Sequence, residues 1–195
     1  MPPISTDRSP RLILASGSPR RRELLAVLQP RFDVIPADID EAVRGGEAPS
    51  DYVRRMAREK AAAGGFPDWT LGADTSVVLD GAILGKPGDA GEAVAMLERL
   101  SGACHRVHSA VALRSPDGEL SERESITDVE FAAIDPAWIR RYVASGDPMD
   151  KAGAYGIQGA PAAWIRELRG SYSGVVGLPL FETAELLRDA GFDPA

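Results

Sequence analysis

The segment RLILASGSPRRRELL, residues 11 to 25, joins an apolar run to a turn of small residues and then to a helical pattern. RLILA predicts a buried strand, and residues 19 to 28 predict a helix with Leu24, Leu25 and Leu28 on one face. Pro19 is typical of the first helical position, where its missing N–H leaves no intrahelical hydrogen bond unmade. The segment therefore predicts a strand–turn–helix unit.

This helix carries its densest positive charge at its N-terminus, where positive charge is electrostatically unfavourable. Arg20, Arg21 and Arg22 fall in the first turn, where the helix dipole is already positive. Free backbone N–H groups of that turn, hydroxyls from Ser16 and Ser18, and guanidinium groups together suit a polyphosphate. The alternative interpretation is a solvated charge run on a surface helix.

The rest of the chain alternates helical patterns with extended runs. Further helices are predicted over residues 50–64 with Ser50 as N-cap, 88–102, 135–145 with Asp135 as cap, and from Pro179 to about 191. Strands are predicted over residues 31–36, from Trp69 into Gly72, and over residues 105–114, 119–132, 162–168 and 171–180, with a turn at Pro116-Asp117-Gly118. Two further extended runs follow Gly72 and are joined by a hairpin turn at Asp80-Gly81. The pattern predicts an α/β fold with a curved mixed sheet and flanking helices.

Length and charge limit the classes of function. The chain has 195 residues, is 44% hydrophobic and carries a formal net charge of −7, which fits one domain over residues 1–195 with two lobes around a cleft. Residues 1–10 are expected to form a flexible N-terminal extension. The negative net charge argues against nucleic-acid or membrane binding. The N-terminus lacks the apolar core of a signal peptide, so a cytoplasmic location is expected.

The single cysteine and the two histidines form no metal-binding pattern. Cys104 alone excludes an internal disulfide. His105 and His108 alternate along a predicted strand, and the expected role of both is surface exposure or cross-strand packing. No Ser-His-Asp nucleophile system has support in the sequence.

Two acidic residues are candidates for metal chemistry. Asp74, in LGADT at residues 71 to 75, lies between small residues at the end of a predicted strand, where an aspartate can bind Mg²⁺ and orient water. Glu41, in the loop IDEAVRG, could share that metal. The alternatives are an aspartate that caps an ordinary turn and a solvated acidic loop.

Lysine is rare in this chain. Of 22 basic residues only Lys60, Lys86 and Lys151 are lysine, and none lies in a featureless helix. The segment GAILGKP is not a P-loop, because its glycine spacing is short and a proline replaces the hydroxyl residue. Gln158, in a glycine-rich loop, suits recognition of a base edge, although loop bracing is the alternative.

Seven motifs in order resemble the Maf family of nucleoside triphosphate pyrophosphatases across nearly the whole chain. They are ASGSPRRRELL, REKA, LGADT, LGKP, LSGACHRV, DKAGAYGIQG and SYSGVVGLPL. The resemblance implies a fold related to inosine triphosphate pyrophosphatases and a divalent metal, Mg²⁺ or Mn²⁺. The implied reaction converts a nucleoside triphosphate and water to a monophosphate and pyrophosphate.

The resemblance also implies roles for individual residues. Asp74 matches the catalytic carboxylate and metal ligand, with Glu41 as its metal-binding partner. The expected triphosphate-binding residues are Ser16, Ser18, Arg20, Arg21, Lys60 and Lys86. Arg20, Thr75 and Gln158 stand where the dTTP/UTP branch has its specificity residues. The chain departs from many relatives at Gly174 and Asp147, where larger or longer side chains are common.

The expected function is hydrolysis of dTTP and UTP, and of modified pyrimidine triphosphates, which keeps them out of nucleic acids. The sequence does not determine the oligomeric state, and a homodimer is one of the states considered. The alternative is a nucleotide-binding regulator of cell division with incidental hydrolysis.

Overall fold

The computed structural model describes residues 11–194, so the predicted extension over residues 1–10 lies outside the described part. The strands within residues 11–194 are β1 (Leu12–Leu14), β2 (Asp33–Val34), β3 (Trp69–Leu79), β4 (Ala82–Leu84), β5 (Cys104–Arg114), β6 (Leu120–Phe131) and β7 (Ile165–Arg169). The α-helices are α1 (Pro19–Leu28), α2 (Pro49–Ala62), α3 (Ala90–Leu100), α4 (Pro136–Ala144), α5 (Tyr172–Val176) and α6 (Leu180–Asp189). Short 3-10 turns occupy Asp147–Asp150, Ala152–Ala154 and Ala160–Trp164.

All seven strands belong to one sheet, which confirms the predicted mixed α/β fold. One predicted boundary is wrong, because β3 continues from Trp69 through Gly72 to Leu79 as a single strand. Its order is β2-β1-β3-β5-β6-β7, with β4 attached to β3. The pairs β1–β2 and β1–β3 are parallel, whereas the other pairs are antiparallel.

The edge of β3 that faces β1 is only partly paired. β1 pairs with Trp69–Leu71, and β4 begins to pair at Val77. Among the described residues, no strand pairs with residues 72–76 on this edge. Asp74, Thr75 and Ser76 in this unpaired stretch line a cleft in the middle of β3.

Helices bury their apolar faces against both sides of the sheet. One apolar cluster combines α3 and α4 with Val77, Leu79 and Val107, and a second combines α1 and α6 with Leu71 and Val111. A third packs α2 against the small residues of β5. Full burial of each large apolar side chain contributes about 1.5–3 kcal/mol to stability. These clusters therefore hold the helices, and the cleft residues that they carry, in fixed positions on the sheet.

Two predicted features of local structure are wrong. Ser50 is not the N-cap of α2: the helix begins at Pro49 after Ala48, and no side chain caps it. Proline suits the first helical position because its fixed φ is already helical and its missing N–H would have no partner within the helix. The predicted strand over residues 171–180 is instead the short helix α5, because the Ser171 side chain accepts the Gly174 N–H at its start.

The segment before β7 also differs from the prediction. Residues 162–164 belong to a 3-10 turn, and the strand runs from Ile165 to Arg169. Within residues 11–194, no helix combines the length and the apolar character that crossing a bilayer requires.

Candidate functional site

A cleft of about 870 Å³ opens at the gap in β3. The ten residues that the sequence analysis assigns to a site all line it: Ser16, Ser18, Arg20, Arg21, Glu41, Lys60, Asp74, Thr75, Lys86 and Gln158. They come from α1, α2, β3 and four loops. The fold thus brings together residues that are spread over most of the chain.

Lys60 places its ammonium group between two carboxylates of the cleft. Its Nζ atom lies 2.7 Å from Asp74 Oδ1 and 2.7 Å from Glu41 Oε1. Lys60 and Asp74 are buried, whereas the Glu41 side chain is 46% exposed. We call Lys60, Asp74 and Glu41 the Lys60 cluster. Both carboxylates contact the same nitrogen atom, so they are close enough to share one cation.

The charge of Glu41 is stabilised by its neighbours. Burial alone would raise the pKa of Glu41, but the hydrogen bond and charge of Lys60, with the charges of Lys86 and Arg21, outweigh burial and lower it. Lys86 is exposed and its Nζ atom lies 3.8 Å from Glu41 Oε2. Glu41 is therefore ionised at neutral pH.

The Lys60 cluster depends on a close approach between α2 and β3. A Cβ atom at Gly72 would lie 2.2 Å from the carbonyl oxygen of Ala57 and 2.5 Å from the amide nitrogen of Ala61. Only glycine allows the helix backbone to come this near to the strand. Because successive side chains alternate along a strand, Asp74 is on the same face as Gly72 and meets Lys60 there.

The loop that carries Glu41 is anchored to α2. Tyr52 donates a hydrogen bond from its hydroxyl to the Glu41 carbonyl oxygen at 2.9 Å. Arg55 contacts both oxygens of Glu47 at 2.6 and 2.7 Å and donates to the Ala42 carbonyl oxygen at 3.0 Å. The Arg55 hydrogen bond holds the pKa of Glu47 at about 2. Sequence reasoning missed these anchors, because no local pattern marks which loop a helix residue will reach.

The turn before α1 orients one arginine toward the cleft. Ser18 caps the helix and accepts the Arg21 N–H at 3.4 Å, and Ser16 Oγ accepts the Ser18 N–H at 3.2 Å. Arg21 donates from Nε to the Gly177 carbonyl oxygen at 2.9 Å and from Nη1 to Ser16 Oγ at 3.4 Å. Desolvation lowers the pKa of Arg21, and the carboxylates of the Lys60 cluster oppose that effect.

Arg20 reaches across the cleft to a second pair of carboxylates. Its Nη1 atom lies 3.3 Å from Asp150 Oδ2. Lys151 Nζ lies 2.7 Å from Asp150 Oδ1 and 3.1 Å from Asp147 Oδ1. Tyr142 donates to Asp147 Oδ2 at 2.7 Å, and this bond, with the charge of Lys151, lowers the pKa of Asp147. The aspartate at position 147 thus keeps its charge and its partners despite its shorter side chain.

The remaining two predicted specificity residues differ in their surroundings. Thr75 Oγ1 lies 3.1 Å from Ser109 Oγ and 3.3 Å from the Gly177 carbonyl oxygen. Gln158 is exposed in the cleft, and its side chain makes no hydrogen bond within residues 11–194. No hydrogen bond of the described residues supports the alternative in which Gln158 braces its loop. The Gln158 amide is therefore available to a ligand.

The two histidines are buried and pack across strands, so the predicted alternative of surface exposure is wrong. His105 Nε2 lies 2.7 Å from the Tyr155 hydroxyl. His108 Nδ1 lies 3.3 Å from Ser50 Oγ and 3.0 Å from Glu124 Oε1. Serine and glutamate meet the same ring nitrogen, so this group cannot act as a nucleophile triad, which uses both nitrogens.

The family model described as "Maf-like protein" matches residues 11–190. A protein of Anaeromyxobacter dehalogenans named dTTP/UTP pyrophosphatase is 55% identical over 188 residues, which cover 94% of this chain and 96% of that protein. A protein of Chromobacterium violaceum with the same name is 51% identical over 191 residues, covering 94% of this chain and 96% of that protein.

Solved structures give a weaker similarity. A HAM1 protein from Coxiella burnetii aligns with a TM-score of 0.48 and 18% identity, over 93% of this chain and 98% of that chain. That degree of likeness is too low to support an inference about function.

Proposed function

This chain belongs to the Maf family, and from that membership we propose that it is a nucleoside triphosphate pyrophosphatase that hydrolyses dTTP and UTP. The products are the nucleoside monophosphate and pyrophosphate. The observation that carries the proposal is the Lys60 cluster, which faces the serine- and arginine-rich turn of residues 16–21 across one cleft. The two relatives named above carry the same activity in their names.

The triphosphate is bound by the positive side of the cleft. Arg21 has five N–H donors and uses two of them on Gly177 and Ser16, which leaves the others for phosphate oxygens. The exposed ammonium group of Lys86 adds a second positive charge that can reach the phosphates. Arg20 releases its ion pair with Asp150 and binds a phosphate oxygen in its place. These donors stabilise the negative charge that develops around the α-phosphorus as water attacks.

Asp74 is the proposed general base. It is buried at the floor of the cleft, and its carboxylate accepts the proton of a water molecule that attacks the α-phosphorus. The bond between the α-phosphorus and the bridging oxygen then breaks, and pyrophosphate leaves. Lys60 holds the carboxylate in place through its contact with Oδ1.

The donor set fits a hard divalent cation, Mg²⁺ or Mn²⁺. Asp74 and Glu41 supply carboxylate oxygens that already surround one positive charge, the Lys60 ammonium. No group of three metal-ligating side chains exists within residues 11–194. Mg²⁺ is commonly held by one or two carboxylates together with substrate phosphates, so two protein ligands are sufficient. When bound, the metal neutralises phosphate charge and polarises the bond that breaks.

Gln158 and Thr75 are proposed to select the base, together with Arg20. The free amide of Gln158 can both donate and accept, which matches the alternating acceptor and donor edge of uracil or thymine. Removal of dTTP and UTP, and of modified pyrimidine triphosphates, keeps these nucleotides out of nucleic acids. We further propose a cytoplasmic location, with no nucleic-acid or membrane partner. A homodimer and the regulatory role in division stay predictions.

Purified protein assayed with Mg²⁺ and a panel of nucleoside triphosphates tests the proposal. We expect dTTP and UTP to give monophosphate and pyrophosphate at higher kcat/KM than the purine triphosphates. In water labelled with ¹⁸O, the label should appear in the monophosphate, because attack is at the α-phosphorus. The Asp74→Asn variant, purified in parallel, controls for contaminating phosphatases.

Two results would contradict the proposal. Release of orthophosphate without added pyrophosphatase would show cleavage of the terminal bond. Label found in pyrophosphate would show attack at the β-phosphorus. An Asp74 variant that binds nucleotide and still arrests division would favour the regulatory alternative.

A further inference from the structure

Ser109 is buried behind the cleft and is not among the residues that line it. It lies on β5, where it is 1% exposed and opposite Thr75 of β3. Its Oγ atom contacts the Gly174 carbonyl oxygen at 2.6 Å and Thr75 Oγ1 at 3.1 Å. Through these two contacts the buried hydroxyl on β5 connects β3 with α5 and fixes their relative positions.

The direction of these bonds follows from the number of hydrogens. A serine hydroxyl has one hydrogen, and a carbonyl oxygen only accepts, so Ser109 donates to Gly174. Toward Thr75, Ser109 can then only accept. The single hydroxyl hydrogen of Thr75 is shared between Ser109 Oγ and the Gly177 carbonyl oxygen.

The same turn orients Arg21. The Gly177 carbonyl oxygen, which lies next to Thr75, accepts the Arg21 Nε–H at 2.9 Å. Gly177 has a φ of 139°, a conformation that side chains rarely adopt. Ser109 thus holds the Gly174 carbonyl against the sheet, and Thr75 holds the Gly177 carbonyl there. The Gly177 carbonyl in turn fixes the Nε edge of the Arg21 guanidinium.

We propose that Ser109 is a positioning residue for triphosphate binding: through Gly174, Thr75 and Gly177 it fixes the guanidinium of Arg21. This inference rests on the proposed function, in which Arg21 binds the triphosphate. Ser109 does not touch the substrate. Its effect on activity passes entirely through the arginine.

Ser125 offers a matched control. It lies directly opposite Ser109 on β6, is also buried, and makes no side-chain hydrogen bond within residues 11–194. Ser109→Ala and Ser125→Ala therefore remove the same atom from neighbouring buried positions on one face of the sheet. Only the first removes the link to Arg21.

The experiment measures two quantities for the wild type, Ser109→Ala, Ser125→Ala, Arg21→Ala and the double variant of Ser109 and Arg21. One is the Kd for inorganic tripolyphosphate by calorimetry, and the other is KM and kcat for dTTP. We expect Ser109→Ala to raise Kd and KM about fivefold to tenfold with a smaller change in kcat, since it loosens one charge-assisted hydrogen bond. Ser125→Ala should leave both unchanged. In the Arg21→Ala background, Ser109→Ala should have no further effect.

Equal effects of the two serine variants, or an equal effect of Ser109→Ala with and without Arg21, would overturn the inference. If Ser109→Ala does not fold, Ser109→Cys, which keeps the shape and weakens the donor, is measured in its place with the same criteria. If the wild type binds tripolyphosphate in the expected pattern but hydrolyses neither dTTP nor UTP, the proposed function fails and the inference stands. A wild type that hydrolyses dTTP but does not bind tripolyphosphate would overturn the inference and leave the proposed function standing.

Discussion

Lys60 and Asp74 form an ion pair inside the protein, where charge is costly. Both side chains are largely buried, with exposed fractions of 7% and 10%, and their atoms are 2.7 Å apart. Replacing a buried ion pair with apolar residues often leaves stability unchanged or improves it, so stability alone does not explain such a pair. Its position in the lining of the cleft, beside Glu41, supports the general-base role proposed for Asp74.

Asp74→Asn tests the role of this carboxylate as a general base. The amide keeps the shape of the side chain but cannot accept the proton of the attacking water. We expect kcat for dTTP to fall by at least about 100-fold. Circular dichroism should show an unchanged fold, and Asp128→Asn, at a half-buried position on β6 outside the cleft, should retain full activity. Near-normal turnover in a folded Asp74→Asn protein would remove the residue from this role.

His105 makes stability depend on pH. Burial lowers the pKa of His105 to about 4 in the folded protein, from its ordinary value of 6.5. Between these values the unfolded chain binds the proton and the folded protein does not, so stability falls as pH falls from 6.5 toward 4. The wild type should lose about 2 kcal/mol through this residue between pH 7 and pH 5.

His105→Gln removes the titration and keeps a hydrogen-bonding partner for the Tyr155 hydroxyl. Urea unfolding at pH 7 and pH 5 should show a smaller loss of stability in this variant than in the wild type. His108→Gln removes the other buried histidine and serves as the control. Parallel losses in His105→Gln and the wild type would contradict the assignment.

At the scale of elements, α1 begins with three arginines and no acidic residue in its first turn. Each cation at a helix N-terminus costs about 0.3–1 kcal/mol. Ser18 satisfies one N–H of that turn, and Arg21 finds the Gly177 carbonyl oxygen. Arg20 lines the cleft and pairs with Asp150, and Arg22 is exposed to solvent, so neither charge is buried without a partner.

Arg21→Ala and the adjacent Arg22→Ala separate a binding role from a general charge effect. Arg21 lines the cleft, whereas Arg22 is exposed and does not. We expect Arg21→Ala to weaken dTTP binding by about 10–100-fold, because it removes charge-assisted hydrogen bonds. Arg22→Ala should change it less than about twofold. Without ligand, both variants should keep the free energy of unfolding within about 1 kcal/mol, since relief of dipole repulsion and desolvation offsets lost bonds. A large loss of stability in Arg21→Ala would show a structural role.

Local patterns predicted most elements, because their causes are local. The strand–turn–helix unit of residues 11–28 and the hairpin at Asp80-Gly81 follow from hydrophobic period and turn residues. The helix α5 was missed because two valines suggested a strand, while its start depends on a Ser171 cap. The anchors Tyr52 and Arg55 were missed because their partners lie in a loop whose path the tertiary fold sets. The motifs predicted residues that the fold brings to one cleft, but contacts such as Lys60 with both carboxylates are visible only in three dimensions.

At the scale of the whole molecule, two long strands join all of the apolar clusters. β3 contributes Leu71 to one cluster and Val77 to another, and β5 contributes Val107, Val111 and Ala110 to three different clusters. If one cluster unfolds, the strand that it shares with a neighbouring cluster loses its packing there as well. We therefore propose that the described chain unfolds as one domain, although its cleft divides it into two regions.

The three tryptophans of the chain report on different clusters and can test this. Trp69 packs edge-on against Phe192 beside the cluster of α1 and α6, whereas Trp138 and Trp164 pack against the cluster of α3 and α4. One variant carries Trp69→Phe, and another carries Trp138→Phe with Trp164→Phe, so that each reports one region by fluorescence. In urea, each variant's fluorescence transition should coincide with its own far-UV circular dichroism transition, because a two-state domain gives the same midpoint for every probe. A fluorescence midpoint that precedes the dichroism midpoint in either variant would show that the two regions unfold separately, and that the shared strands β3 and β5 do not couple them.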